Sequence, residues 1–193
     1  MRFNIIQKIG AGILCIAAVT LFTGCSGMSQ SHEESTRELR EGHDRNVADL
    51  LAQSANQDFL VGNLDQALSN ITGAVNYMPD EARHYVMKGR ILIEMNRLDH
   101  AMTTLNHAIL LEPDNPDAHY YAGLVYQRWT KIDKAYSEYR KAFDLDPTSA
   151  DYLIATLEMM VDTKDFEDAI HLVQSNNEYF DNNASIKRIL GHI

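Results

Sequence analysis

Eight histidines, two cysteines and 27 carboxylates are the residues of this chain that could do chemistry, and their spacing decides whether they do. The histidines are scattered at His32, His43, His84, His100, His107, His119, His171 and His192. The closest two, His100 and His107, are seven apart with no carboxylate between them in H-E-x-x-H spacing, so a zinc set is not expected and surface histidines are. Cys15 and Cys25 both fall near the N-terminus, which leaves no CxxC pair and no disulfide framework. The chain has no GxSxG, no GxxxxGK[ST] and no GxGxxG, so neither a nucleophile elbow nor a phosphate-cradling loop is encoded. The expectation is a protein that is not an enzyme and uses no cofactor and no metal.

Cys25 does have neighbours that point to a chemistry. Arg2 and Lys8 precede an uncharged, mainly apolar run from Ile9 to Leu21, with no acid before it. That run is shorter than the roughly 20 residues a spanning helix needs, and has the layout of an export signal. Leu21, Phe22, Thr23 and Gly24 then lead into Cys25, a run that resembles the lipobox of bacterial lipoproteins, with Phe22 in place of the usual aliphatic residue. The resemblance implies that the Cys25 sulfur takes a diacylglycerol, that the chain is cut after Gly24, and that the new amino group is acylated. A multiply acylated cysteine would hold the chain on a membrane, since each buried methylene contributes about 0.8 kcal/mol. The expected location is therefore the cell envelope, lipid-anchored; by the same resemblance, Ser26 after the cysteine points to the outer membrane, facing the periplasm, if the organism is Gram-negative. The mature chain would carry no thiol, as suits an oxidising compartment.

The elements that follow must give this anchor something to carry. Residues 25–46 are polar, with Leu39 the only large apolar residue between Ser29 and Asn46, and are expected to form a tether, either a solvated linker or one polar helix. Beyond it the chain repeats. Pro79, Pro113 and Pro147 lie 34 apart, as do Ala67, Ala101 and Ala135, and Ala74, Ala108 and Ala142, while Ala55, Gly89 and Gly123 keep the same step. Four units follow: 48–81, 82–115, 116–149 and a degenerate 150–183, in which Leu157, Asn176 and Asp181 replace the small residue, the second alanine and the proline. Residues 184–193 are expected to form a C-terminal capping helix, with Lys187 and Arg188 on its exposed face.

This pattern resembles the tetratricopeptide repeat: small at position eight, Ala at twenty and twenty-seven, aromatic or aliphatic at twenty-four (Ile71, Leu105, Tyr139), Pro at thirty-two. The implied fold is all-α, a right-handed α-solenoid of stacked helical hairpins, four repeats plus the cap. A lone hairpin cannot bury its apolar face, and at least three stacked units are needed. Gly62 and Asn96 mark inter-helix turns, where a left-handed backbone is cheapest for Gly and Asn.

In such folds the first helix of each pair lines the concave surface. By resemblance, positions two, five, six, nine, twelve and thirteen point there, which makes Asn56, Arg83, Arg90, Tyr120, Tyr121, Leu124 and Arg128 the candidate peptide-groove residues. Three arginines on this strip stand out against a net charge of −10, and with the tyrosines they suit a peptide carrying carboxylates. The same net charge argues against nucleic acid as a partner. Repeats that clamp the acidic tails of cytosolic chaperones use a set of Lys, Asn and Arg at five positions; here those hold Ala52, Asn56, Met87, Asp117 and Tyr121, one match in five. The expected role is a membrane-anchored scaffold for protein–protein interaction in the bacterial cell envelope, of the kind that supports pilus, secretion or outer-membrane assembly. Its partners would be envelope proteins or peptide segments. Two other roles fit the same features: an adaptor or regulator of peptidoglycan enzymes, and an extracytoplasmic carrier of a small hydrophobic ligand.

Overall fold

The computed structural model describes the backbone of residues 23–180 and 183–191, and the side chains of residues 32–176, 178–180 and 183–191. Of the export signal read over residues 1–24, only Thr23 and Gly24 fall within these, and the Cys25 side chain does not. Among the described residues there are ten helices and no strand. They are α1 (Thr23–Leu60), α2 (Leu64–Tyr77), α3 (Ala82–Glu94), α4 (Leu98–Leu111), α5 (Pro116–Arg128), α6 (Ile132–Leu145), α7 (Ala150–Thr163), α8 (Phe166–Ser175), α9 (Asn177–Phe180) and α10 (Ala184–Leu190). None is long and apolar enough to cross a membrane.

The described residues divide into two units, one ending at Asn46 and the other beginning at Val47. In the first, the described side chains from His32 to Gly42 are all exposed, and Arg37 donates to Glu41 one turn on at 2.7 Å. Of the two forms left open for the tether, the helix is the one present, and Gly42 does not interrupt it. Such a helix, polar on every side, draws its support from pairs of this spacing, each contributing about 0.2–0.5 kcal/mol.

In the second unit α3 and α5 occupy positions one to thirteen of their repeats, and α2, α4 and α6 occupy positions seventeen to thirty. Each consecutive pair from α2 to α8 packs together, and α3 also reaches α5, so first helices stack on first helices. One recurring turn makes each hairpin. Gly62, Asn96, Thr130 and Lys164, all at position fifteen, have φ of 82°, 57°, 60° and 67°. Around Asn96 the amide of Arg97 donates to the Leu92 carbonyl and that of Asn96 to Ile93; the same two bonds recur around the other three. These bonds satisfy carbonyls that the helix end would otherwise orphan. Gly and Asn were legible as turn residues; Thr130 and Lys164 adopt the same left-handed geometry against their own preference, because the hairpin requires it.

The small residue at position eight makes room for position twenty-four. A Cβ on Gly89 would lie 2.6 Å from Leu105 Cδ2, and one on Gly123 would lie 2.6 Å from Tyr139 Cδ1. Both partners are buried, and Tyr139 also donates its hydroxyl to Gln127 Oε1 at 2.7 Å. In the fourth unit the sizes are exchanged: Leu157 at eight shares a core cluster with Val173 at twenty-four. Asn176, where an alanine would stand, ends α8 by donating Nδ2 to the Leu172 carbonyl at 2.8 Å. The stretch expected as a cap over residues 184–193 is helical from Ala184 to Leu190, capped by Asn183 Oδ1, which accepts from Ser185 and Ile186. Ile186 is buried in the core with Leu153, Leu157 and Phe180, while Lys187 and Arg188 stay exposed.

Two of the histidines expected at the surface are not there. His84 and His119 are each 2% exposed, near the starts of α3 and α5. His119 is well partnered, with Nδ1 2.7 Å from Glu138 Oε2 and Nε2 3.0 Å from the Pro113 carbonyl. Among the described residues neither ring nitrogen of His84 has a hydrogen-bond partner of good geometry.

Candidate functional site

The face lined by the first helices is a row of clefts. The first, of about 410 Å³, lies between α1 and α3 and is lined by Asp49, Gln53, Asn56, Arg83 and Met87 among others. The second, of about 200 Å³, lies between α3 and α5, lined by Met87, Arg90, Asn115, Asp117 and Tyr121 among others. The third, of about 370 Å³, is lined by Gln127 of α5, Glu158, Met159, Val161 and Asp162 of α7, and Ile189 of α10. Residues one stack apart share each cleft because helices packed at the same register bring equivalent positions side by side.

The sequence-predicted candidates fall into three groups. Asn56 is exposed in the first cleft. The arginines differ sharply from one another. Arg83 pairs with Asp49 at 2.8 Å and with Glu81 at 3.3 Å. Arg128 donates to the Ile93 carbonyl at 2.9 Å and reaches Glu94 at 3.5 Å, so it serves the C-terminal end of α3, where backbone carbonyls carry the negative end of the helix dipole. Arg90 makes no ion pair among the described residues and sits with its guanidinium carbon 4.4 Å from the centre of the Phe59 ring. Arg90 thus lines the second cleft, whereas Arg128 is bonded to the end of α3.

The tyrosines form the third group. Tyr120 is half-buried, its ring centre 5.2 Å from that of Tyr121, 5.5 Å from Tyr139 and 5.3 Å from Tyr152. It therefore packs between repeats and lines none of the three clefts. Tyr121 is half-buried and lines the second cleft. Leu124 is half-buried against the clusters on both sides of α5. Burial, ahead of any charge, pushes the Tyr120 and Tyr121 hydroxyls above the ordinary tyrosine range, so both remain protonated donors. Tyr152 is raised further, by burial and then by donating at 2.6 Å to Asp117 Oδ1.

Sequence reading stopped the groove at the third unit. The same six positions in the fourth unit place Asp151, Glu158 and Asp162 on α7, all exposed, and the last two line the third cleft. The signal was available, since the register alone names them. Among the described residues no group of three or more His, Cys, Asp or Glu side chains could hold a metal ion.

Residues 89–128 match a model of the TPR repeat, and residues 116–149 match one described as tetratricopeptide repeat. The chain carries tetratricopeptide repeats. Solved tetratricopeptide structures share its fold. A thermophilic TPR protein of Thermus thermophilus, TTC0263, is 18% identical with a TM-score of 0.65, covering 75% of this chain and 80% of its own. A MamA double mutant is 24% identical, TM-score 0.61, covering 79% and 87%. The first TPR of Spaghetti (RPAP3), solved bound to an HSP90 peptide, is 17% identical, TM-score 0.58, covering 62% and 95%. No curated protein matches the chain. Tetratricopeptide repeats are generally scaffolds rather than enzymes, and the stacked first helices supply the kind of surface such scaffolds use.

Proposed function

We propose that this chain is a lipid-anchored tetratricopeptide scaffold of the bacterial cell envelope, which holds extended segments of partner proteins against its first helices. The observation that carries the binding half is the row of three clefts along one face, with Arg90 ion-paired to nothing described and tyrosines beside it. The Spaghetti domain shows that a peptide can lie on this fold, although the residues that clamp such acidic tails are replaced here by Ala52, Met87, Asp117 and Tyr121. The observation that supports the anchor is the basic start, short apolar run and small residues ahead of Cys25, followed by a polar stretch without a further thiol. A role beside pilus, secretion or outer-membrane assembly machinery, with the chain on the periplasmic side of an outer membrane, is our preferred setting.

Two experiments test the two halves. Fractionation of cells carrying Cys25→Ser should move the protein from membranes to the soluble fraction, because the substitution removes every acyl chain. A variant that still sediments after a salt wash refutes the anchor. Crosslinking in intact cells, followed by purification from detergent-solubilised membranes, should recover an envelope protein that Arg90→Gln loses. Capture of a partner unaffected by substitutions in the three clefts refutes the groove.

A further inference from the structure

Charge on the first-helix face is divided along the stack. Towards the N-terminal side, Arg83 is occupied by Asp49 and Glu81, and Arg128 by Glu94 and the Ile93 carbonyl. Arg90 is left as the one groove arginine without an ion pair among the described residues, held over Phe59 in a position to meet a ligand. Towards the C-terminal side, Asp151, Glu158 and Asp162 of α7 are exposed and make no ion pair among the described residues. Lys187 and Arg188 of α10 do not line the third cleft. Burial first raises the Tyr120 hydroxyl, and Asp151 and Glu158 then raise it while Arg90 lowers it, so both regions act on one side chain.

An acidic tail running along the whole face would meet Arg90 favourably and then be repelled by three carboxylates. A basic tail would meet the reverse. The second and third clefts are joined by α5, with Tyr121 in one and Gln127 in the other, six residues apart. Arg90 of α3 and the α7 carboxylates lie on either side of α5, so two helix-to-helix steps of about 8–10 Å set them roughly 16–20 Å apart, about five or six residues of extended chain at about 3.3 Å each. Met159, Val161 and Ile189 give the third cleft apolar walls beside its carboxylates, suited to the methylene stem and charged head of a lysine or arginine.

We infer that the groove recognises an amphoteric extended segment, seating a carboxylate against Arg90 and, about five or six residues away, a lysine or arginine against Glu158 and Asp162. Tyr120 and Tyr121 lie between the two contacts and supply protonated hydroxyls and ring surface to the intervening peptide. The inference rests on the groove reading above and adds the charge order that a partner must carry. Its discrimination comes from the charge order, with Arg90 at one end and the α7 carboxylates at the other, while Asp117 in the second cleft is engaged by the Tyr152 hydroxyl.

The test is selection of dodecamers from a random phage-displayed library on the full chain in detergent micelles, followed by fluorescence anisotropy with the enriched peptides. Enriched peptides should carry both signs at about four to seven residues' separation. Arg90→Gln should weaken them about tenfold, with no further loss when the peptide's acid is replaced by alanine. Glu158→Gln with Asp162→Asn should do the same for the peptide's basic residue, and circular dichroism melts should show both variants folded. Peptides of one sign only, or uncharged, that still depend on these clefts overturn the amphoteric inference and leave the groove reading standing. Peptides insensitive to all the substitutions, or no enrichment at all, overturn both.

Discussion

Gly123→Ala, made alone and together with Tyr139→Ile, tests whether positions eight and twenty-four are paired by size. Alanine at Gly123 should help the isolated helix by about 1 kcal/mol, since glycine is the poorer helix former. Its methyl carbon would lie 2.6 Å from Tyr139 Cδ1, 2.8 Å from Cε1 and 3.0 Å from Cγ, where ordinary carbon contacts need about 3.5–4.0 Å. The ring must therefore give by about 1 Å, yet it is 1% exposed and tied through its hydroxyl to Gln127. Overpacking of this kind costs about 1–3 kcal/mol, so the single variant should be destabilised by up to about 2 kcal/mol despite the better helix former. Tyr139→Ile alone empties the ring's volume and frees Gln127, and should cost about 2–4 kcal/mol. The double variant reproduces the Ala55 and Ile71 pair that already fills the first unit's core, and should be more stable than the sum of the single losses by at least about 1 kcal/mol. Urea denaturation followed by helical circular dichroism measures all three. Losses that add within about 0.5 kcal/mol, or a Gly123→Ala chain more stable than its parent, would refute the pairing.

Thr130→Gly should raise the thermal midpoint, since a β-branched residue at φ 60° carries strain of about 1 kcal/mol that glycine does not, offset in part by glycine's entropy. A lower midpoint would mean that the Thr130 side chain holds the turn. Burial first, and Arg83 next, hold the His84 imidazole below its ordinary pKa, against the opposing pull of Glu81, the Met78 backbone and Asp49. Below about pH 6.5 the unfolded chain therefore takes up a proton that the folded chain refuses, and His84's share of stability, complete above that pH, is lost as pH falls. Melts between about pH 5 and 8 should show this slope, and His84→Leu should flatten it; an unchanged slope in the variant would place the titration elsewhere. Arg128→Ala should lower stability by about 1 kcal/mol through the lost bond to the Ile93 carbonyl, and Arg90→Ala by less, a difference that paired thermal melts resolve. Equal losses would argue against the division of labour between the two arginines.

The sequence by itself determined the repeat, because its signals are local. A proline that cannot continue a helix, an alanine at each close contact and a glycine or asparagine at the turn act within one hairpin, and their 34-residue recurrence registers α2 to α6 without any knowledge of the stack. The groove positions were legible for the same reason: once the register is known, helix geometry says which side chains share a face. Tertiary packing decided what those side chains do. Arg83, Arg90 and Arg128 are alike in sequence, yet one is paired with Asp49 across the stack, one rests over Phe59, and one serves the end of α3. Each of those partners belongs to the preceding repeat, about one unit length away in sequence, and which atoms meet depends on the offset between stacked hairpins. His84 and His119 are both buried, and only the tertiary structure distinguishes the one without a hydrogen-bond partner of good geometry among the described residues from the one between Glu138 and the Pro113 carbonyl. Spacing encodes the face a residue occupies; the neighbour it meets there is set by the packing of one hairpin on the next.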